Sequence, residues 1–185
     1  MLKLLLTVRL RHPVVKQNQG SPEFIMLVTD APALLRIGAF LEVNMYYLKA
    51  SAAFDSAHFL SGYNGKCANI HGHRWTIEAS VKSDSLIPDG EKRGMVIDFG
   101  DLKKSVRAIA DWFDHALIYE KGTLKPATVA ALNDEAFRLI PVDFRPTAEN
   151  FAEYFCNELI SQGLPVHSVT VYETPDNCAV YEVNE

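Results

Sequence analysis

The sequence has few cysteines and no excess of basic residues. Its 185 residues contain three cysteines, 18 lysines and arginines, and 23 aspartates and glutamates, with a formal net charge of −5. A sparse, odd set of cysteines is a poor framework for disulfides, so we expect a reducing, cytoplasmic compartment. The acidic balance argues against a nucleic-acid partner, and an anionic substrate would need local cations to attract it.

The sequence also has no long uninterrupted hydrophobic run. Apolar stretches near the N-terminus are broken by charged side chains such as Arg9 and Asp30, which argues against a signal peptide and a membrane span. Strand patterning begins close to Met45. We therefore interpret residues 1–44 as an N-terminal extension, either an expression leader or the product of a start codon set too far upstream. Residues 45–185 are expected to form a single domain.

Hydrophobic periodicity predicts an α+β fold. Residues 71–82 alternate between apolar and polar side chains, as in a half-buried strand. Two long helices are expected, one capped by Asp101 and one by Thr147. The pattern predicts a four-stranded antiparallel sheet with two helices on one face, in the order ββα-αββ. The other predicted elements are strands at residues 46–56, 166–173 and 178–183, short strands at 95–97 and 137–142, and a short helix at 127–136.

Three of the six histidines are expected to meet at one end of the first hairpin. His71 and His73 flank a glycine, and side chains at positions i and i+2 of a strand point to the same face. His58 ends the preceding predicted strand. Three imidazoles with one open position are typical of a catalytic zinc site. An H-x-H pair alone is weak support, because a single histidine is more often an ordinary core or surface residue.

Candidate acid/base groups lie near this predicted site. Cys67 precedes His71 by four residues, and a nearby cation would favour its thiolate, which could accept a proton. Cys67 could equally be a fourth zinc ligand or a small buried apolar residue. Asp114 and His115 follow the first long helix, where the carboxylate could orient the imidazole. The alternative is a helix C-terminal histidine that interacts with the helix dipole.

Three further polar residues are candidates for substrate contact. Glu173 ends a strand that should be mostly buried, so its carboxylate needs a partner. That partner could be the N–H pair of a guanidine-like edge on a heterocycle, or a cation at the sheet edge. Thr147 and Glu149 open the second long helix, where helix capping and a favourable dipole contact explain them equally well.

Six short segments occur in a fixed order along the chain. They are FDSAH at 54–58, CANIHGH at 67–73, GMVIDF at 94–99, DH at 114–115, PTAEN at 146–150 and YET at 172–174. Together they resemble the 6-pyruvoyl-tetrahydropterin synthase family over about residues 45–185. The resemblance is strongest to the branch that makes 6-carboxy-5,6,7,8-tetrahydropterin for queuosine biosynthesis, where three residues also separate the cysteine from the first histidine of HGH. A folate-linked branch has glutamate at the position of Cys67.

The resemblance implies a tunnelling fold, in which hairpins and helices of several subunits assemble into a barrel. It therefore implies a homo-oligomer with active sites at the subunit interfaces. It also implies a role for each candidate residue. The zinc ligands correspond to His58, His71 and His73, and the acid/base groups correspond to Cys67, Asp114 and His115. The carboxylate that anchors the pterin corresponds to Glu173, and the secondary pterin contacts correspond to Thr147 and Glu149.

The implied substrate is 7,8-dihydroneopterin triphosphate. In the carboxy branch the triphosphate is eliminated, and the remaining side chain is cleaved with loss of acetaldehyde. Three alternatives stay open at this point: a 6-pyruvoyl-tetrahydropterin synthase that only eliminates triphosphate, a non-catalytic zinc-containing protein that binds pterins, and a structural zinc protein. The long connection at residues 118–145 departs from the pattern and is expected to alter the substrate entrance.

Overall fold

A computed structural model describes residues 44–184 of the chain. The predicted extension at residues 1–44 lies, apart from its last residue, outside the described part. The described elements are six strands, three α-helices and one 3-10 helix. They are β1 Tyr46–His58, the 3-10 helix Lys66–Ala68, β2 His71–Ser83, α1 Phe99–Phe113, β3 Leu117–Glu120, α2 Pro126–Asp134, β4 Leu139–Val142, α3 Ala148–Ser161, β5 Val166–Thr174 and β6 Asn177–Glu182.

The strands form one mixed sheet in the order β4-β3-β1-β2-β5-β6. The four strands β1, β2, β5 and β6 pair antiparallel, as predicted. The prediction of a four-stranded sheet with two helices is nevertheless wrong, because β3 and β4 add parallel pairs and α2 is a third helix between them. The short helix predicted at 127–136 and the short strand predicted at 137–142 are present as α2 and β4. β3 was not predicted, because four residues are too few for a pattern of alternating apolar residues to identify a strand.

Two predictions before α1 are also wrong. Residues 95–97 form no strand. The carbonyl oxygen of Met95 accepts from Ile87 N at 2.9 Å, so it bonds within the preceding loop rather than to a strand of the sheet. The N-cap of α1 is Asp98 rather than Asp101, since the Asp98 carboxylate accepts from Gly100 N at 2.6 Å. Asp101 lies within the first turn and pairs with Lys92.

The core lies between one face of the sheet and helices α1 and α3. Trp75, Ile77, Ala79 and Val81 of β2 are completely buried, which confirms the predicted alternation. The Thr147 hydroxyl caps α3 as predicted, with its Oγ1 3.5 Å from Asn150 N. Within residues 44–184, no helix is both long enough and apolar enough to cross a membrane.

Candidate metal and substrate site

Three imidazoles converge where β1 ends and β2 begins. The antiparallel register pairs His58 with His71 and Ser56 with His73, so all three rings project from the core-facing side of the hairpin. The ring centroids of His58 and His71 are 4.5 Å apart, those of His71 and His73 are 5.0 Å apart, and those of His58 and His73 are 5.3 Å apart. The structure thus brings together the three histidines that the sequence places at the hairpin end.

Backbone carbonyls orient two of these rings. His58 Nδ1 lies 2.7 Å from Pro146 O, and His71 Nδ1 lies 2.7 Å from Asn69 O. A carbonyl oxygen can only accept, so in the neutral form of each ring Nδ1 carries the proton and Nε2 keeps its lone pair. The Nε2 atoms of His58 and His73 are buried without a hydrogen-bond partner. Unpaired nitrogens at the centre of a histidine cluster are what a metal site requires.

Glu173, at the end of β5, completes the cluster. Its Oε1 lies 3.4 Å from His58 Nε2 and 3.6 Å from His73 Nε2. The four ligand atoms of His58, His71, His73 and Glu173 all lie within 4.8 Å of one another. Three imidazoles and one carboxylate form a donor set that suits zinc and other first-row divalent ions. The residues present therefore fit a metal, and Glu173 could contact either that metal or a substrate beside it.

The surroundings of His58 and His73 disfavour the protonated form of each imidazole. Burial, opposed by the hydrogen bond to Pro146 and aided by the neighbouring imidazoles, lowers the pKa of His58 to about 4. Burial also lowers the pKa of His73, although the Glu173 carboxylate opposes this shift. Both side chains are therefore unprotonated at neutral pH, which is the form that binds a metal ion.

A cavity of about 270 Å³ collects four of the predicted residues beside the histidine cluster. Cys67 is a free thiol on the 3-10 helix and is not among the grouped metal-ligand atoms. Sequence reasoning missed Tyr63 and Cys178 in this cavity. Tyr63 could have been found from its place in the loop before Cys67, whereas Cys178 reaches the cavity only through the pairing of β6 with β5. The lining includes Cys67, Thr147, Glu149, Glu173, Tyr63 and Cys178.

The predicted Asp114–His115 pair is present. His115 Nδ1 lies 2.6 Å from Asp114 Oδ2, and the other carboxylate oxygen accepts from Asp55 N at 2.8 Å. Hydrogen bonds from the backbone of Asp55 and from His115 lower the pKa of Asp114. His115 has a φ of 52°, a left-handed conformation that is unusual for a residue other than glycine. Its backbone N–H donates to the Asp55 carbonyl oxygen at 2.7 Å. The pair is therefore tied to β1 rather than to the last carbonyls of α1.

Cys67 and His115 line different cavities of the chain. His115 borders a larger cavity of about 750 Å³, together with His73, Arg74 and residues of β3, β4 and α2. The connection at residues 118–145 therefore forms one wall of this cavity through Leu132, Phe137 and Leu139. Arg74 supplies a cation there, with its Nη1 bonded to Asp55 Oδ2 at 2.8 Å.

Comparison with known proteins places these features in a family. The family model described as 6-pyruvoyl tetrahydropterin synthase matches residues 47–184. The 6-carboxy-5,6,7,8-tetrahydropterin synthase of Haemophilus influenzae is 37% identical over 144 residues, which cover 75% of this chain and 99% of that protein. A protein of the same name from Rickettsia felis is 34% identical over 133 residues, covering 69% of this chain and 92% of the relative.

Solved structures show the same fold. An uncharacterized protein from Wolinella succinogenes superposes with a TM-score of 0.66 at 22% identity, over 76% of this chain and 99% of the other. The 6-pyruvoyl tetrahydropterin synthase of Caenorhabditis elegans superposes with a TM-score of 0.55 at 25% identity, over 77% of this chain and 98% of the other. The predicted fold family is thereby confirmed, while the number of strands and helices is corrected as described above.

Proposed function

The chain belongs to the 6-pyruvoyl tetrahydropterin synthase family, whose members are lyases acting on small pterins, and we propose that it is a zinc-dependent 6-carboxy-5,6,7,8-tetrahydropterin synthase. In this proposal it converts 7,8-dihydroneopterin triphosphate and water to 6-carboxy-tetrahydropterin, acetaldehyde and triphosphate, for queuosine biosynthesis. The curated relatives of that name, one covered over 99% of its own length, support the branch.

One observation carries the proposal: a cluster of three imidazoles lies beside a cavity that is lined by a free thiol and carboxylates. A Zn²⁺ ion held by His58, His71 and His73 would supply Lewis-acid polarisation of a substrate oxygen. A structural zinc site is closed by its protein ligands, whereas a cavity adjoins this cluster. The nearby thiol and the Asp114–His115 pair favour catalysis over simple pterin binding.

The protein's own groups would bind the ring and move protons. The Glu173 carboxylate accepts the N–H pair of the pterin ring, and Thr147 and Glu149 line the same cavity. The Cys67 thiolate takes a proton from the substrate side chain on one side. His115 exchanges a proton on the other side, since Asp114 holds its Nδ1–H and leaves Nε2 free to act.

The division of Cys67 and His115 between two cavities supports a site completed by a second copy of the chain. In a homo-oligomer, the His115 of one copy would face the Cys67 cavity of its neighbour. The variants C67A and H115A should then each be inactive and regain activity when they are mixed and reassembled. Random mixing should restore about a quarter of wild-type activity, because an interface pairs two intact residues one time in four. A mixture that stays inactive after verified subunit exchange would refute the shared site.

A product assay tests the reaction itself. The purified chain is incubated with zinc and 7,8-dihydroneopterin triphosphate, and products are identified by mass spectrometry together with an acetaldehyde assay. Acetaldehyde with the 6-carboxy product is the expected result. A 6-pyruvoyl product would keep the site and change the branch to that of the Caenorhabditis elegans protein. Unchanged substrate in the presence of bound zinc would favour a pterin-binding protein.

A further inference from the structure

The segment from Arg145 to Thr147 contacts three parts of the site. The carbonyl of Pro146 accepts the Nδ1–H of His58, and the Thr147 hydroxyl caps α3. The backbone carbonyl of Arg145 accepts from Asn150 Nδ2 at 2.9 Å, which fixes the segment to the first turn of α3. The metal cluster and the helix that lines the 270 Å³ cavity are therefore held by consecutive residues of one short segment.

The Arg145 side chain extends from this segment to the loop that carries Cys67. Its Nη2 donates to Ser61 O at 3.0 Å, and its guanidinium carbon lies 5.9 Å from the centroid of the Tyr63 ring. A guanidinium over an aromatic face is a favourable cation–π arrangement. One side chain thus contacts both the backbone and the aromatic ring of the loop, which residues 60–68 form.

The Tyr63 ring lies against the backbone of this loop at Gly65. A Cβ atom on Gly65 would lie 2.7 Å from Tyr63 Cε1, so glycine is needed for the ring to lie against the loop backbone. Leu60 N donates to Cys67 O at 2.8 Å and closes the loop at its base. A shift of Tyr63 would therefore be transmitted over this short closed segment to Cys67.

We infer that Arg145 is a positioning residue for Cys67, because it fixes the 60–68 loop through Ser61 and Tyr63 on the segment that also orients His58. The inference rests on the proposed role of Cys67 as an acid/base group. The buried Nε of Arg145 has no hydrogen-bond partner, an unfavourable arrangement that an arginine directed only at solvent would avoid. Its geometry is therefore set by the loop contacts rather than by solvation.

Arginine is suited to this task in a way that lysine is not. The planar guanidinium can lie over the Tyr63 ring while one of its N–H groups bonds to Ser61 O. A lysine ammonium could make one of these contacts but has no planar group to pack on the ring. The conservative R145K substitution should therefore restore only part of what R145Q removes.

The test compares R145Q, R145K, Y63A and the R145Q/Y63A double variant with wild type in the full-length, zinc-loaded chain. R107Q is the matched control, because Arg107 is an exposed arginine on α1 and its loss changes the net charge equally. Three properties are measured: zinc content, steady-state kinetics, and the rate at which iodoacetamide alkylates Cys67. Cys67 and Cys178 are resolved by peptide mass spectrometry, and the Cys67 rate is referred to wild type and R107Q because Cys178 lines the same cavity.

We expect R145Q to retain zinc and to lower kcat by about 10- to 100-fold with little change in KM, as a misplaced catalytic group does. Cys67 should be alkylated faster than in wild type and in R107Q, since the loop is less restrained. R145K should lie between wild type and R145Q. The double variant should lose less than the product of the two single losses, because both substitutions loosen the same loop.

Unchanged kcat and unchanged Cys67 alkylation in folded, zinc-loaded R145Q would overturn the inference. Loss of zinc from R145Q would also overturn it, since Arg145 would then act on the metal cluster. If R145Q does not fold, Y63A carries the same expectation with Arg145 in place. The alkylation comparison needs no turnover. An inactive wild-type protein would therefore refute the proposed function, and the alkylation rates of Cys67 would still decide whether Arg145 positions that residue.

Discussion

Glu173 offers the sharpest test of the site, because its position allows two roles. Tetrahedral zinc holds nitrogen and oxygen ligands at about 2.0–2.2 Å, which separates neighbouring ligand atoms by about 3.4 Å. Glu173 Oε1 lies 3.4 Å from His58 Nε2 and 3.6 Å from His73 Nε2, so it has the spacing of a fourth ligand. The same carboxylate borders the cavity beside Cys67, where it would meet the substrate ring.

We expect E173Q to retain a full equivalent of zinc and to lose substrate affinity. Three imidazoles are a sufficient ligand set for a catalytic zinc ion. A glutamine side chain offers only one acceptor and no charge to an N–H pair on the substrate. Loss of a hydrogen bond to a charged group costs about 1.5–3 kcal/mol, which corresponds to a decrease in kcat/KM of about 10- to 150-fold.

The assay combines metal analysis with kinetics. Zinc is measured by mass spectrometry after dialysis against a buffered zinc concentration, and kcat and KM are measured separately. E153Q is the charge-matched control, because Glu153 is exposed on α3. H58A is the control for a lost ligand. Zinc loss in E173Q comparable to that in H58A would refute the reasoning and make Glu173 a metal ligand.

Four further predictions follow from the contacts. C67A should retain zinc and lose about 10²–10⁴-fold in kcat, as measured by turnover and metal content, and zinc loss would instead make Cys67 a ligand. D114N should lower kcat and shift the pH profile of kcat, because the carboxylate that holds His115 Nδ1–H at 2.6 Å is replaced by a neutral amide. An unchanged pH profile would exclude an acid/base role for the Asp114–His115 pair. F155A should lower the free energy of unfolding by about 3–5 kcal/mol in urea titrations, since Phe155 is fully buried among aromatic rings, while zinc content stays unchanged. Chelation of the metal should abolish turnover reversibly and leave the circular dichroism spectrum that of a folded protein, because the core cluster between the sheet and α1 and α3 contains none of the three histidines. Unfolding would favour a structural zinc site.

Local patterns of the sequence were sufficient for the hairpin histidines. The alternation of β2 places His71 and His73 on the face of Trp75 and Ile77, so the side that holds the metal candidates follows from strand period alone. The Asp114–His115 pair was likewise found from adjacent residues. These predictions needed no information about distant pairing.

Features that depend on distant contacts could not be predicted in the same way. The carbonyl that orients His58 belongs to Pro146, 88 positions later in the chain. The anchor of Asp114 is the backbone of Asp55, 59 positions earlier. Residues 95–97 are apolar and resemble a strand, but Val96 and Ile97 pack on the core from a loop. In each case the tertiary arrangement, rather than local propensity, determines the outcome.

The position of Glu173 shows how strand register controls the chemistry of this site. On β5, Val169 and Val171 are buried, and Glu173 continues their alternation to the core-facing side beside the histidines. Tyr172 pairs with Cys178 and Thr174 with Asn177, so Glu173 is the extra residue of a bulge opposite β6. A slip of β5 by one residue would move the carboxylate to the other face and place a neighbour in the cluster. The bulge therefore allows β6 to pair with β5 on both sides of Glu173 while the carboxylate faces the histidines. Because Glu173 also borders the cavity beside Cys67, it joins the histidine cluster and that cavity into one site.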